Sequence, residues 1–368
     1  MPFSSFIGQA CAEENSVRWL VTGKGKGAFL LNLKTKDFFE VPLGFDVHGF
    51  MRDPANPHRV WALEKWGTHA AEIDIPGKQA LSEMQSPENA YFQGHGVFSQ
   101  NGDRMFFTYR NLETGLGHLT GYDSQKRAPL FDTPFDASGV HDVHLFDKNT
   151  LVIAYSGLKA GPGVLPEKGV RVGSSALLYF DIEKEQVTHK NPIEDDKRHI
   201  GHLALTSTGA AIALTSLQNN DPAVRGRIYL SSSPTAPLER IDWPQEVDDM
   251  MKLGLLSVDV DEKQNLAAIT NLGAGTVALV DISTKKFLKA FDDCHALGVS
   301  FDSYTGKFIV SGSGIFTIDS VTKKKSGFFD KTELDEKSAP PSQGAYAGLD
   351  RESAMQFGSH SCIVQIPA

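Results

Sequence analysis

The imidazoles carry the clearest chemical pattern in this chain. His48, His95 and His202 each sit beside a glycine and open an alternating apolar stretch, HGFMR, HGVFS and HLALT. His141 and His144 bracket Asp142 in HDVHLF, and His295 lies just before GVSFD. Neutral imidazole is the commonest transition-metal ligand, and three or four nitrogens from separate elements suit iron, copper or zinc better than the oxygen-seeking calcium and magnesium. The ligand set implied is His48, His95, His141 and His202. His144, His295, Asp142 and Asp46 are further ligands or groups that hold a ring nitrogen from behind. Gly49, Gly94, Gly96 and Gly201 permit close backbone approach. For any one of these histidines the competing reading is a hydrogen bond to backbone or water in a polar channel.

No other chemistry stands out. G-x-S-x-G, H-E-x-x-H, C-x-x-C and EF-hand patterns are missing, so the catalytic residues are unknown and no organic cofactor site is assigned. Lys24-Gly25-Lys26-Gly27 lacks the strand-loop-helix order of a phosphate loop and fits a hairpin turn. His58, His118, His189 and His360 read as turn or surface residues. Glu64, Lys65, Trp66, Tyr109 and Arg110 end strands near a would-be channel mouth without an assigned role.

Residues so far apart in sequence meet only if a repeated element brings them together, and the chain does repeat. One recipe recurs: an alternating apolar strand, a polar turn, a strand rich in aromatic or β-branched residues, another turn, and a closing strand ending near Asp. Aligning the units on their turns places His48, His95, Val143, His202, Ser257 and Gly298 at equivalent positions, about 50 residues apart, close to the length of a four-stranded propeller blade. His141 falls two residues before its aligned position and so shares that side of the strand. VRWLVTG and GAFLLNL near the start and SCIVQI at the end make up one more unit by pairing the two ends of the chain, which removes an exposed edge. The expected fold is therefore all-β, a seven-bladed β-propeller closed by its terminal strands. First strands line a propeller's channel, so equivalent histidines converge there. Residues 1–16 read as a frayed or processed start and 17–368 as a single domain, with an insertion loop at 157–175, a polar excursion at 218–225 and a tether at 326–344. The one stretch with helical character is 244–252.

With 36 Lys and Arg against 45 Asp and Glu, the net charge of −9 disfavours a broad nucleic-acid or anionic-membrane footprint. No apolar run is long enough for a spanning helix. Met1 to Ala12 has neither the basic nor the apolar part of a secretion signal. Three cysteines, Cys11, Cys294 and Cys362, do not make a disulfide framework. Cys294 and Cys362 read either as one bridge or as two buried thiols.

AYFQGHGVFSQNGDRMFF, SGVHDVHLFDKNTLVIAYSGL, HIGHLAL and DDCHALGVSFDSYTGKFIVSGSGIF, in this order, resemble the bacterial family called domain of unknown function 1513. The similarity runs from about Gly44 to Asp319, and GHGVFS at Gly94 to Ser99 is its most specific part. The resemblance implies a propeller exported by the twin-arginine route, periplasmic iron handling beside imelysin-type and di-haem peroxidase-like proteins, and His48, His95, His141 and His202 as the recurrent family histidines. Two features depart from it: the chain shows no twin-arginine signal, and Tyr109-Arg110-Asn111 replaces a more acidic segment. The functional expectation is a periplasmic-type accessory protein binding iron or copper, with zinc next, through histidines at the channel mouth. A metal ion or small polar ligand and a periplasmic protein are its partners. Cytoplasmic residence, a propeller hydrolase or lactonase, and a metal-free docking scaffold are the alternatives.

Overall fold

The computed structural model describes residues 16–195, 197–217, 221, 224–251, 254–271, 275–291, 295–329 and 357–367. Almost all of the regular structure is antiparallel β-strand. Among the described residues the strands form seven four-stranded units; two of these are joined where the second strand of one, Arg59–Gly67, also pairs with the first strand of the next, Lys65 with Gln93 and Gly67 with Phe92. The innermost strands are β1 (Val47–Arg52), β2 (Ala90–Phe98), β3 (Val140–Asp147), β4 (Arg198–Leu205), β5 (Leu255–Asp261), β6 (Gly298–Asp302) and β7 (Phe357–Ile366). In six units the chain runs outward from the innermost strand, as in Leu255–Asp261, Leu266–Asn271, Val277–Asp281 and Lys286–Phe291. The seventh unit takes β7 from the end of the chain and three strands from its beginning, with Val17 opposite Ile366 and Val21 opposite Cys362. Each innermost strand packs against the next, and β7 packs against both β6 and β1.

The sequence makes these units for two local reasons. Second and third strands such as LAAITN at Leu266–Asn271 are apolar on both faces and buried throughout, whereas outer strands such as KFLKAF at Lys286–Phe291 put most of their polar residues in solvent. The closing aspartates caught by the repeat act in the turns. Asp123, Asp181, Asp281 and Asp319 each accept hydrogen bonds from the backbone N–H groups two and three residues on. In each case the residue after that pair, Arg127, Glu185, Lys285 or Lys323, turns left-handed to start the fourth strand. Asn32 and Lys36 do the same in the terminal unit.

The core is divided among the gaps between neighbouring units. Met51, Trp61, Leu63, Phe92 and Phe107 fill the gap between the first and second, and Leu266, Leu279, Val299 and Phe308 that between the fifth and sixth. Leu20, Phe29, Ile309 and Ile315 join the sixth unit to the terminal one, while Trp19, Leu30, Val60, Ile73 and Val364 join the terminal one to the first. Arg18 and Asp302 form an ion pair across the former gap.

Two sequence expectations change. The insertion at 157–175 is not an open loop: Leu158–Lys159 pairs with Val170–Arg171, a short helical turn spans Pro166–Lys168, and the buried Arg110 guanidinium donates to the carbonyls of Gly115, Ala160 and Gly161. The tether expected from 326 begins later, because Lys325–Phe329 is a strand; the rest of it lies outside the described residues. The helix expected within 244–252 is present as Gln245–Met250. Cys362 is free, and Cys11 and Cys294 lie outside the described residues, as do most of 218–225 and 1–15. Among the described residues no helix is long and apolar enough to cross a membrane.

Candidate metal centre

Bulges in the innermost strands aim the imidazoles. The pairing register slips between Val47 and Gly49, between Phe92 and Gly96, and between Val140 and Val143, so His48, His95 and His141 all sit in the extra residues. A bulge leaves such residues without a ladder partner and redirects their side chains. On β4 the slip falls between Ile200 and His202. The close approach this requires explains two glycines. A Cβ on Gly49 would lie 2.3 Å from the carbonyl oxygen of Gly94, and Gly94 itself has φ +89° with His48 against its Cα.

His48, His95, His141 and His202 meet. The His95 ring centroid lies 5.0 Å from that of His48, 4.5 Å from His141 and 5.2 Å from His202, and His141 lies 4.8 Å from His202. A fifth ring joins them from β7. His360 lies 4.8 Å from His48 and 4.7 Å from both His95 and His202. This corrects its reading as a surface residue. Two triads, His48 with His95 and His360, and His95 with His141 and His202, have ligand atoms within 4.8 Å of one another. Nitrogens at about 2.1 Å from one tetrahedral metal stand about 3.4 Å apart, so the rings of a triad must draw together by up to roughly 1.4 Å to share an ion.

Asp142 organises the cluster from behind. Its carboxylate lies 3.1 Å from His95 Nδ1 and 3.3 Å from His144 Nε2, and it accepts the backbone N–H groups of Val143 and Leu203. Burial opposes its charge, but His144 and His95 outweigh that and hold the carboxyl well below its ordinary range. With Nδ1 on Asp142, His95 presents Nε2 to the centre, an arrangement that fixes a ligand's tautomer and orientation. Burial pushes His48, His141, His202 and His360 well below the ordinary imidazole value, and Lys65 together with neighbouring rings adds to it. Neutral rings keep a lone pair free for a metal. Among the described residues, His95 Nε2, His202 Nδ1 and His360 Nε2 are buried without a hydrogen-bond partner. Buried polar atoms of this kind ordinarily have partners, so three together call for one.

Of the additional candidates, Asp142 supports the rings directly and His144 supports Asp142. Among the described residues no hydrogen bond or ring contact joins Asp46 or His295 to the cluster: Asp46 lies in the field of Lys26 and Glu64, and the backbone of His295 packs against Gly275 and Gly312. His118, read as a surface residue, is buried against Tyr109 and Asp132 in the second unit. The sequence reading gave Lys65 no role, yet its Nζ lies 3.3 Å from His141 Nε2. A signal for His360 existed in the terminal strand pairing: extending SCIVQI one residue toward the N-terminus brings an imidazole to the innermost strand of the seventh unit.

The family described as "Protein of unknown function (DUF1513)" matches residues 41–336. The chain belongs to that family. The match covers the segment over which GHGVFS and its companions carry the resemblance. No curated protein matches the chain. A solved structure titled "Kuenenia stuttgartiensis Hydrazine Synthase" is similar in fold, with a TM-score of 0.61 at 11% identity over 82% of this chain and 88% of that one. At that identity the likeness speaks for the fold alone.

Proposed function

We propose that this member of the family is a seven-bladed β-propeller closed by its terminal strands, and that its channel histidines bind one transition-metal ion, iron or copper first and zinc next. Seven four-stranded units, a packed gap on each side of the terminal one, and innermost strands in contact with their neighbours support the closure. The observation that carries the metal reading is the convergence of buried, unpartnered nitrogens of His95, His202 and His360 from three separate strands. Packing alone gives no reason to bring imidazoles together without partners. His95, His141 and His202 form one triad and His48 and His360 extend it, with Asp142 holding His95. One carboxylate and five imidazoles favour a soft or borderline cation over calcium. An accessory role in periplasmic metal handling is the setting that the family resemblance implies.

Elemental analysis of protein purified without a histidine tag tests the reading. Near-stoichiometric iron, copper or zinc that disappears in the His48→Ala, His95→Ala, His202→Ala triple variant is expected. A folded wild-type protein that takes up none of the three metals overturns it.

A further inference from the structure

We propose that the metal at this centre carries an exogenous small oxyanion, a carboxylate or a phosphate, held between the ion, Lys65 and His199. This rests on the metal reading above and goes one step further, to the class of the bound ligand.

Charge is the first argument. Imidazoles bound to a metal are neutral and contribute none, and a divalent ion adds two positive charges. Asp142, the carboxylate bonded to the rings among the described residues, offsets one of them, and the charge of Lys65 is met in part by Glu167. That leaves about one positive charge uncompensated in a buried site, and buried charge is tolerated only when paired. An anion on the metal supplies the pairing.

The second argument is how Lys65 arrives there. Its strand, Arg59–Gly67, leaves its own unit at this point to pair with β2, through Lys65 with Gln93 and Gly67 with Phe92. Trp66, in the slip between those two pairs, has φ +60°, an outlying conformation for so bulky a side chain, and such backbone strain clusters at functional sites. The ammonium lies 4.8 Å above the Trp66 ring and donates to His141 Nε2 at 3.3 Å. With His141 on a metal through Nε2, that hydrogen bond is lost and the ammonium, otherwise in the field of Glu167, is free to donate to an anion on the same metal.

The third argument is His199. The slip on β4 makes His199 pair with Ser216 and His202 with Leu214, so the two imidazoles face the same side of the sheet although three residues apart. His199 therefore stands one strand step from the ligand His202, and its buried Nδ1 has no partner among the described residues. A second buried ring nitrogen without a partner, in the field of Lys65 and Arg171, fits an oxyanion cradle.

Cobalt-substituted protein, whose visible bands report the metal's ligands, is titrated separately with acetate and with phosphate, after cobalt content is measured. Saturable band shifts with at least one anion are expected, and the stronger of the two identifies the class. Lys65→Met should raise the half-saturation concentration at least tenfold with cobalt still stoichiometric, Lys65→Arg should restore most of it, and His199→Ala should raise it about threefold. Cobalt-loaded protein whose bands respond to neither anion, or a Lys65→Met variant that titrates like wild type, overturns the oxyanion while leaving the metal reading in place. Protein that takes up no cobalt, iron, copper or zinc overturns both.

Discussion

Gly94 and His48 occupy nearly the same space: a Cβ on Gly94 would stand 2.4 Å from Cδ2 of His48. The two residues belong to different units, so the glycine of GHG serves its neighbour's ligand as much as its own strand. Gly94→Ala is strained twice, by its φ of +89° and by this contact, and the strain falls on the His48 ring and on the bulge between Phe92 and Gly96, which together place two of the imidazoles. A loss of about 1–3 kcal/mol in stability is expected from the left-handed backbone and overpacking. Metal affinity should fall at least tenfold. Thermal melts and metal titration of the variant check both, and wild-type affinity would separate His48 from the ligand set.

Asp142→Asn keeps the size of the side chain and removes its charge. The amide still accepts from one of the two backbone donors but no longer balances His95 and His144, which lie 3.1 and 3.3 Å from the carboxylate. Loss of a carboxylate behind a metal-bound histidine costs about 10–100-fold in affinity. Competition with a chromophoric chelator measures it. The contrast is Asp259, which accepts the N–H groups of Val260 and Phe301 much as Asp142 accepts those of Val143 and Leu203 but contacts no ring of the cluster. Asp259→Asn should lower stability and leave metal affinity unchanged.

The repeat and most of the ligands were legible in sequence because they rest on local chemistry. Strand alternation, the Asp-led turns and an imidazole beside a glycine within β1, β2 and β4 leave marks within a few residues of one another. What was not legible depends on the ladder. Alignment on turns put Val143 at the channel, yet Val143 is buried in the core between units, and the bulge after Val140 delivers His141 instead. His360 was hidden because the terminal strand was read from Ser361, and Lys65 because its strand changes partners only in three dimensions. His295 matched by spacing alone, and among the described residues no hydrogen bond or ring contact joins it to the cluster.

Through His360 a metal on the cluster would be coupled to the join between the chain's ends. His360 lies on β7, which pairs with Val17–Lys24 and packs on β1 and β6, so an ion shared by His48, His95 and His360 ties the last strand to the first two units. Anything that binds only the folded form stabilises it by mass action, about 2.7 kcal/mol at a hundredfold excess over Kd. Amide exchange at Ser361 to Gln365 should therefore slow when metal is added. In His360→Ala the amides should exchange faster and respond little to metal, while those of β4 still respond through His202. Equal protection of β7 in the variant would remove His360 from the centre.

Acid should destabilise the metal-free protein well before its carboxylates titrate. His48, His141, His202 and His360 are held below the ordinary imidazole value chiefly by burial, and burial with the charges of Arg171 and Lys65 brings His199 down to about 4. Below about pH 6.5 the unfolded chain takes protons that the folded chain refuses, so this stability is complete above 6.5 and is lost as pH falls. His144 runs the other way: burial alone would lower it, but Asp142 raises it, so its contribution is present below 6.5 and lost as pH rises through its folded value. Five rings against one leave a net fall in stability between pH 7.5 and 5.5, and urea midpoints of chelator-treated protein at the two pH values measure it. A midpoint that holds or rises at pH 5.5 would mean the folded rings already carry protons, and a cluster of charged imidazoles does not hold a metal.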